Sequence, residues 1–92
     1  MIVRILGEGQ LEVDDAVADE LNKLDAGLEA ALNSGDEAAF RPALAAMLDR
    51  VRAVGTPVPA DTLEPSDVIL PYSDASMDDV RGLLSEDGLI PG

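Results

Sequence analysis

The sequence predicts an α+β fold, in which a short N-terminal β-hairpin packs on an antiparallel pair of helices and a short helix lies near the C-terminus. Three observations lead to this prediction. Residues 1–13 are rich in β-branched and alternating positions, residues 14–55 carry two apolar stripes at helical spacing, and residues 76–92 begin with a helix-capping pattern. At 92 residues the chain fits a single small domain, so we expect one shared core.

Two short runs at the N-terminus predict the hairpin. Met1–Leu6 is rich in β-branched residues, Gln10–Val13 alternates between polar and apolar positions, and Gly7-Glu8-Gly9 separates them. The glycines permit the positive φ angles of a tight reversal. A phosphate-binding loop would need a lysine and a following helix, so the turn is the better interpretation. We expect Val3 and Ile5 to share one face of the first strand.

The next residues predict the first of two amphipathic helices. Asp14 is placed to cap it, and Ser34-Gly35 to end it. Its apolar positions fall on one stripe: Val17, Leu21, Leu24, Leu28 and Leu32. We expect its charged residues, Asp25 among them, to lie largely on other faces.

The second helix is predicted between Asp36, which is placed to cap it, and Gly55. Its apolar positions recur at helical spacing: Phe40, Leu44, Met47, Leu48, Val51 and Val54. Pro42 conflicts with this pattern, because proline lacks the N–H group and clashes with the preceding turn. Two alternatives stay open: the helix kinks at Pro42, or Pro42 opens it after a separate turn. Since the connection between the helices is short, we expect them to pack antiparallel.

Residues 56–71 are rich in proline and predict a long loop. Within them, Val68–Leu70 is the stretch suited to pairing, and we expect it to add a third strand to the edge of the hairpin. Ser76 and Asp79 then have capping-box spacing. They predict a short third helix that ends at Gly88 and is followed by a docked apolar tail.

Composition argues against an enzyme. The chain contains no Cys and no His, so the usual nucleophile, the usual general base and most transition-metal ligands are missing. It has 19 acidic and 6 basic residues, for a formal net charge of −13. Such a charge disfavours nucleic acid and bare phospholipid as partners. We therefore expect no catalytic residues, no cofactor and no metal site, and a protein partner with a basic or apolar face.

Adjacent acidic residues are found in divalent-cation sites and in hydrolase dyads. Four such pairs in this chain are Asp14-Asp15, Asp36-Glu37, Asp78-Asp79 and Glu86-Asp87. Three of the four lie at predicted helix starts, where carboxylates cap N–H groups and favour the helix dipole. Capping is therefore the preferred interpretation of those three pairs.

The absence of Cys suits a reducing compartment. The sequence shows no export signal and no run of about 18 apolar residues. We expect a cytoplasmic protein without a membrane-spanning segment.

The loop within residues 56–71 is the best candidate for binding, because loops of this length in small domains are uncommon unless they are functional or disordered. A structural strap over the helix pair is the alternative. The candidate partner-binding residues form one run: Leu63, Glu64, Pro65, Ser66, Asp67, Val68, Ile69, Leu70 and Pro71.

Five segments, in this order, follow a recognisable pattern. They are M-I-V-R-I-L-G-E-G-Q at 1–10, S-G-D-E-A-A-F at 34–40, G-T-P at 55–57, L-E-P-S-D-V-I-L-P at 63–71 and E-D-G-L-I-P-G at 86–92. Together they resemble the PspAA family of PspA-associated proteins, nearly end to end. The resemblance implies a non-enzymatic accessory protein of a PspA-like, coiled-coil, membrane-associated stress protein, and it implies no catalytic residues.

A PspA-like protein is therefore the expected partner, bound through the run from Leu63 to Pro71 and the hairpin edge. The domain would reach the inner face of the membrane through that partner, without inserting itself and without binding nucleic acid. Homo-oligomerisation is left open. The alternative function is an acidic regulator, antitoxin-like or a nucleic-acid mimic, that occupies a basic groove of another protein. A hydrolase that uses carboxylates alone stands third.

Overall fold

A mixed sheet and a pair of long helices make up most of the fold. The computed structural model describes residues 1–59, 61 and 65–83. Along them the elements are β1 (Ile2–Ile5), β2 (Gly9–Glu12), α1 (Ala18–Ser34), α2 (Glu37–Val54), β3 (Thr56–Pro57), β4 (Val68–Leu70) and α3 (Met77–Leu83). The predicted α+β class is confirmed.

The predicted hairpin is present, with β1 and β2 paired antiparallel. Gly7 and Gly9 have φ angles of +85° and +108°, a region that favours glycine. The N–H of Glu8 donates to the carbonyl of Ile5 at 2.9 Å and closes the turn. Val3 and Ile5 are buried, while the residue between them is exposed.

Two further strands extend the hairpin, and the order across the described sheet is β3-β2-β1-β4. β4 runs parallel to β1, with Ile69 opposite Arg4, so the predicted third strand is confirmed. β3 pairs antiparallel with β2, with Pro57 opposite Leu11. The sequence does not predict β3, because two residues carry no alternation to recognise.

α1 begins slightly later than the sequence predicts. The carboxylate of Asp14 accepts a hydrogen bond from the N–H of Ala16 at 2.9 Å, but the turn that it caps, Asp15–Val17, is 3₁₀. The end of the helix follows the prediction, since Gly35 has a φ of +70°. Three residues of the predicted stripe are buried: Leu21, Leu28 and Leu32.

One charged residue of α1 lies on the buried side. Asp25 is 3% exposed, so its predicted place on a solvent-facing side is wrong. Asp25 follows Leu21 by four residues and precedes Leu28 by three, and the helical repeat puts all three side chains on one stripe.

α2 begins at Glu37, and the carboxylate of Asp36 accepts a hydrogen bond from the N–H of Ala39 at 3.2 Å. The helix continues through Pro42. The alternative in which Pro42 opens the helix is therefore wrong. Pro42 is exposed, and so is Ala38, whose carbonyl would otherwise accept from the position of Pro42. The missing hydrogen bond thus lies on the solvent side.

α3 starts with the predicted capping box. The N–H of Asp79 donates to Ser76 Oγ, and the N–H of Ser76 donates to Asp79 Oδ2, each at 3.1 Å. Arg81 Nη2 donates to the carbonyl of Leu32 at 3.0 Å and ties α3 to the end of α1. The predicted helix end at Gly88 and the apolar tail lie outside the described residues.

One core joins the sheet to the helix pair. Its largest fully buried side chains come from both layers: Val3, Ile5, Val13, Leu21, Leu28, Phe40, Leu44, Met47, Leu48, Val51 and Leu70. Aliphatic side chains dominate it, with Phe40 as the single aromatic member among these residues.

Candidate partner-binding surface

Residues 65–71, here termed the β4 segment, lie along β1 at the border of the described sheet. They are the described part of the predicted binding run, and its first two residues, Leu63 and Glu64, lie outside the described residues. Three members of the β4 segment are buried: Val68, Leu70 and Pro71. Three are exposed: Pro65, Asp67 and Ile69. Ser66 is half-buried.

Hydrogen bonds tie the polar members of the β4 segment to the hairpin. The N–H of Asp67 donates to the carbonyl of Ile2, and the N–H of Ile2 donates to Asp67 Oδ2, both at 2.8 Å. Ser66 Oγ accepts from Gln10 Nε2 at 2.8 Å and from Arg4 Nε at 3.3 Å. Ser66 and Asp67 therefore hold the segment in place.

Two large apolar side chains are exposed on this border, Ile69 at 45% and Tyr72 at 53%. Ile69 lies opposite Arg4, on the face of the sheet that points away from the core. The ring of Tyr72 lies against Gly7, where an added Cβ would come within 2.8 Å of Tyr72 Cε1. Three residues of chain span at most about 10 Å, so the two residues lie within about that distance of each other along the border. They are termed the Ile69/Tyr72 patch.

The sequence predicts only half of this patch. Ile69 falls within the predicted run, whereas Tyr72 follows its last residue directly. The available signal was composition, because Tyr72 is the only Tyr and one of two aromatic residues in the chain. The place of its ring against Gly7 is a tertiary contact that local sequence does not indicate.

An ion pair fixes the turn of the hairpin to α2. Arg52 Nε donates to Glu8 Oε1 at 2.8 Å, and Arg52 Nη1 donates to Asp49 Oδ1 at 3.0 Å. The hydrogen bonds from Arg52 hold the pKa of the Glu8 carboxyl below its ordinary value. The same contacts raise the pKa of Arg52. Glu8, Asp49 and Arg52 are thus already paired with one another within the domain.

A shallow groove of about 450 Å³ lies beside that ion pair. Its lining includes Arg4, Glu8, Gln10, Arg52, Pro57 and Val58. Both arginines already donate to side chains of the domain itself. The groove therefore combines paired charges with apolar side chains such as Pro57 and Val58.

Residues 1–59, 61 and 65–83 offer neither a metal site nor a membrane span. No cluster of three or more acidic side chains in this part of the chain is arranged to hold a metal ion. None of the helices described there combines the length and the apolar character needed to cross a membrane.

Comparison with known proteins assigns the chain to a family. The model of the PspAA family, described as PspA-associated protein, matches residues 1–92, the whole chain. The chain belongs to the PspAA family. The family name indicates association with PspA, which fits an accessory role. No curated protein and no solved structure matches the chain.

Proposed function

We propose that this PspAA-family protein is a non-enzymatic adaptor that binds a PspA-type coiled-coil protein and modulates its assembly or its action at the membrane. The observation that carries the proposal is the match of the family model over all residues 1–92. The domain is cytoplasmic in this proposal and reaches the inner face of the membrane through its partner.

The charge of the domain supports this role. A net charge of −13 repels the anionic inner leaflet, so the domain does not bind lipid directly. A protein that itself binds anionic membranes carries basic segments, and these are complementary to an acidic adaptor. The domain would thus be drawn to the partner and not to the bilayer.

We place the contact on the run from Leu63 to Pro71 and the adjoining border of the sheet. In its described part, Ser66 and Asp67 anchor the run to β1, while Ile69 points outwards. A rigid strand that presents an exposed apolar side chain is suited to binding, because little conformational freedom is lost on contact.

Calorimetric titration of the domain with the PspA-type protein of the same organism tests the proposal. We expect a complex with a Kd below about 50 μM in low salt. Heat changes no larger than those of dilution under these conditions would remove the adaptor function.

Modulation is tested separately from binding. Light scattering of the PspA-type protein, and its co-sedimentation with anionic vesicles, are measured with and without the domain. We expect assembly size or bound fraction to change at saturating domain. If both quantities stay constant while a complex forms, the domain binds without modulating.

The alternative, an acidic nucleic-acid mimic, requires carboxylates spaced like phosphates along one exposed face. Several carboxylates serve backbone groups at helix starts instead: Asp14, Asp36 and Asp79. This observation favours the adaptor.

A further inference from the structure

Exposed large apolar side chains are few in the described part of the chain, and two of the three are only three residues apart on the β4 border of the sheet. They are Ile69, Tyr72 and Leu83. The first two form the Ile69/Tyr72 patch, and Leu83 lies on α3. Tyrosine is enriched among the residues that carry most of the binding energy in protein interfaces. The patch is therefore the strongest docking candidate among the described surfaces.

The charge around the patch restricts what covers it. Residues 65–74 hold two acidic residues, Asp67 and Asp74, and no basic residue. Both carboxylates are exposed. A second copy of the domain, a nucleic acid or an anionic lipid surface would each add negative charge to a chain that already carries −13. A cationic segment is the complementary occupant.

Tyr72 offers a specific contact to such a segment. Gly7 covers one part of the ring, and the side chain remains 53% exposed. A Lys or Arg placed over the open part of the ring makes a cation–π contact, which an aliphatic side chain cannot make. Asp74 follows two residues later along the chain and adds negative charge to this exposed stretch.

Arg4 is the exception in this neighbourhood, since it lies opposite Ile69. Arg4 Nε donates to Ser66 Oγ at 3.3 Å. Its positive charge opposes a cationic occupant and favours an anionic one. Substitution of Arg4 therefore distinguishes a cationic from an anionic occupant by the direction in which the affinity changes.

We infer that the Ile69/Tyr72 patch is the docking site for a cationic segment of a protein partner, with an apolar side chain against Ile69 and a Lys or Arg over Tyr72. This inference rests on the proposed function, because the PspA-type protein is the partner that supplies the segment.

The first test compares two losses of exposed apolar surface. The double variant Ile69→Ala with Tyr72→Ala removes the patch, and Leu83→Ala is the matched control on α3. We expect the Kd for the PspA-type protein to rise about tenfold or more in the double variant and less than about twofold in the control. Thermal unfolding of each variant confirms that it is folded.

Single substitutions test the chemistry in case the double variant does not fold. Tyr72→Phe should keep the affinity within about twofold, because the ring remains, whereas Tyr72→Leu should weaken it. Arg4→Gln should strengthen binding in low salt by removing like charge. Weaker binding by Arg4→Gln in a folded variant would overturn the cationic occupant.

The outcomes separate this inference from the adaptor function. If the wild-type domain binds the PspA-type protein and the double variant binds equally well, the docking site is wrong and the adaptor stands. If the wild-type domain does not bind, the adaptor itself fails. Self-association in sedimentation, or binding to anionic vesicles, that Tyr72→Leu abolishes would also overturn the inference.

Discussion

Position 55 requires glycine because neighbouring atoms leave no room for a Cβ atom. Its φ of −82° and ψ of 149° suit any residue. An added Cβ, however, would lie 2.7 Å from the carbonyl oxygen of Val51 and 3.0 Å from Leu11 Cβ. That carbonyl accepts the N–H of Gly55 at the end of α2, and Leu11 packs against the core. Neither group moves without disturbing its own contacts.

We expect Gly55→Ala to lower the free energy of unfolding by about 1–3 kcal/mol, because the methyl group forces the backbone to shift. The matched control is Gly27→Ala within α1, where an added Cβ meets nothing within 4 Å. There the same change should raise the free energy of unfolding by about 0.5–1 kcal/mol, since alanine favours helix. Urea denaturation measures both, and a neutral Gly55→Ala would contradict the steric argument.

The pair formed by Glu8 and Arg52 makes a small, pH-dependent contribution to stability. Hydrogen bonds from Arg52 lower the pKa of the Glu8 carboxyl in the folded state from 4.5. A group with a lowered folded-state pKa contributes stability above its unfolded pKa and loses it as the pH falls through the folded value. Both side chains are more than one third exposed, so solvent screening limits the contribution to less than about 1 kcal/mol.

Glu8→Gln should therefore lower the free energy of unfolding at pH 7 by a few tenths of a kcal/mol up to about 1 kcal/mol. The difference from wild type should shrink as the pH falls from about 5 to about 3. Glu12→Gln is the control, because it removes the same charge from an exposed position on β2. Denaturation across this pH range measures both variants, and identical profiles would show that the pair contributes nothing.

At the scale of elements, α2 continues through Pro42 although proline disfavours the interior of a helix. α2 extends on both sides of Pro42, from the cap at Asp36 to its end at Gly55. Buried residues on the opposite side of the helix, such as Phe40 and Leu44, hold it to the core. Packing thus outweighs the hydrogen bond that proline removes.

Pro42→Ala should raise the free energy of unfolding by about 1–3 kcal/mol, because it restores a helical hydrogen bond and removes a clash. The gain is reduced by the greater freedom of the unfolded chain without proline. Ala46→Ser, at another exposed position of α2, is the control and should change stability by less than about 0.5 kcal/mol. Destabilisation by Pro42→Ala would mean that the proline makes a structural contact of its own.

Sequence patterns predict those elements that are determined by interactions between residues close together in the chain. The hairpin follows from its glycines, and both long helices follow from caps and apolar spacing. β3 forms because the chain returns to pair with β2 after α2. A strand of two residues is too short to show a pattern that predicts this pairing. Residue type predicts a solvent-facing position for Asp25, but its place in the helical repeat puts it on the buried stripe. The candidate partner-binding surface shares this limit, since the ring of Tyr72 lies against Gly7, which is far away in sequence.

At the scale of the whole molecule, some carboxylates have structural roles, but acidic residues far outnumber basic ones. Some carboxylates cap helices, and others pair with arginine, as Glu20 does with Arg50 at 3.1 Å. With 19 acidic and 6 basic residues, carboxylates far outnumber the side chains that could pair with them. The apolar core therefore holds the domain together against the repulsion between its carboxylates.

This balance predicts how the fold responds to salt. Raising ionic strength from about 10 mM to about 200 mM shortens the screening length from about 30 Å to below about 8 Å, which weakens repulsion between distant carboxylates. It also weakens the exposed ion pairs, but each of these contributes at most about 1 kcal/mol and they are few beside the excess of 13 negative charges. Repulsion should therefore dominate, and the midpoint of thermal unfolding should rise. For a domain of this size, a gain of about 1 kcal/mol corresponds to about 4–8 °C. Calorimetry in sodium chloride and in potassium chloride separates screening from a specific ion effect, because only screening gives the same rise in both. A midpoint that stays constant or falls would show that the ion pairs outweigh the repulsion.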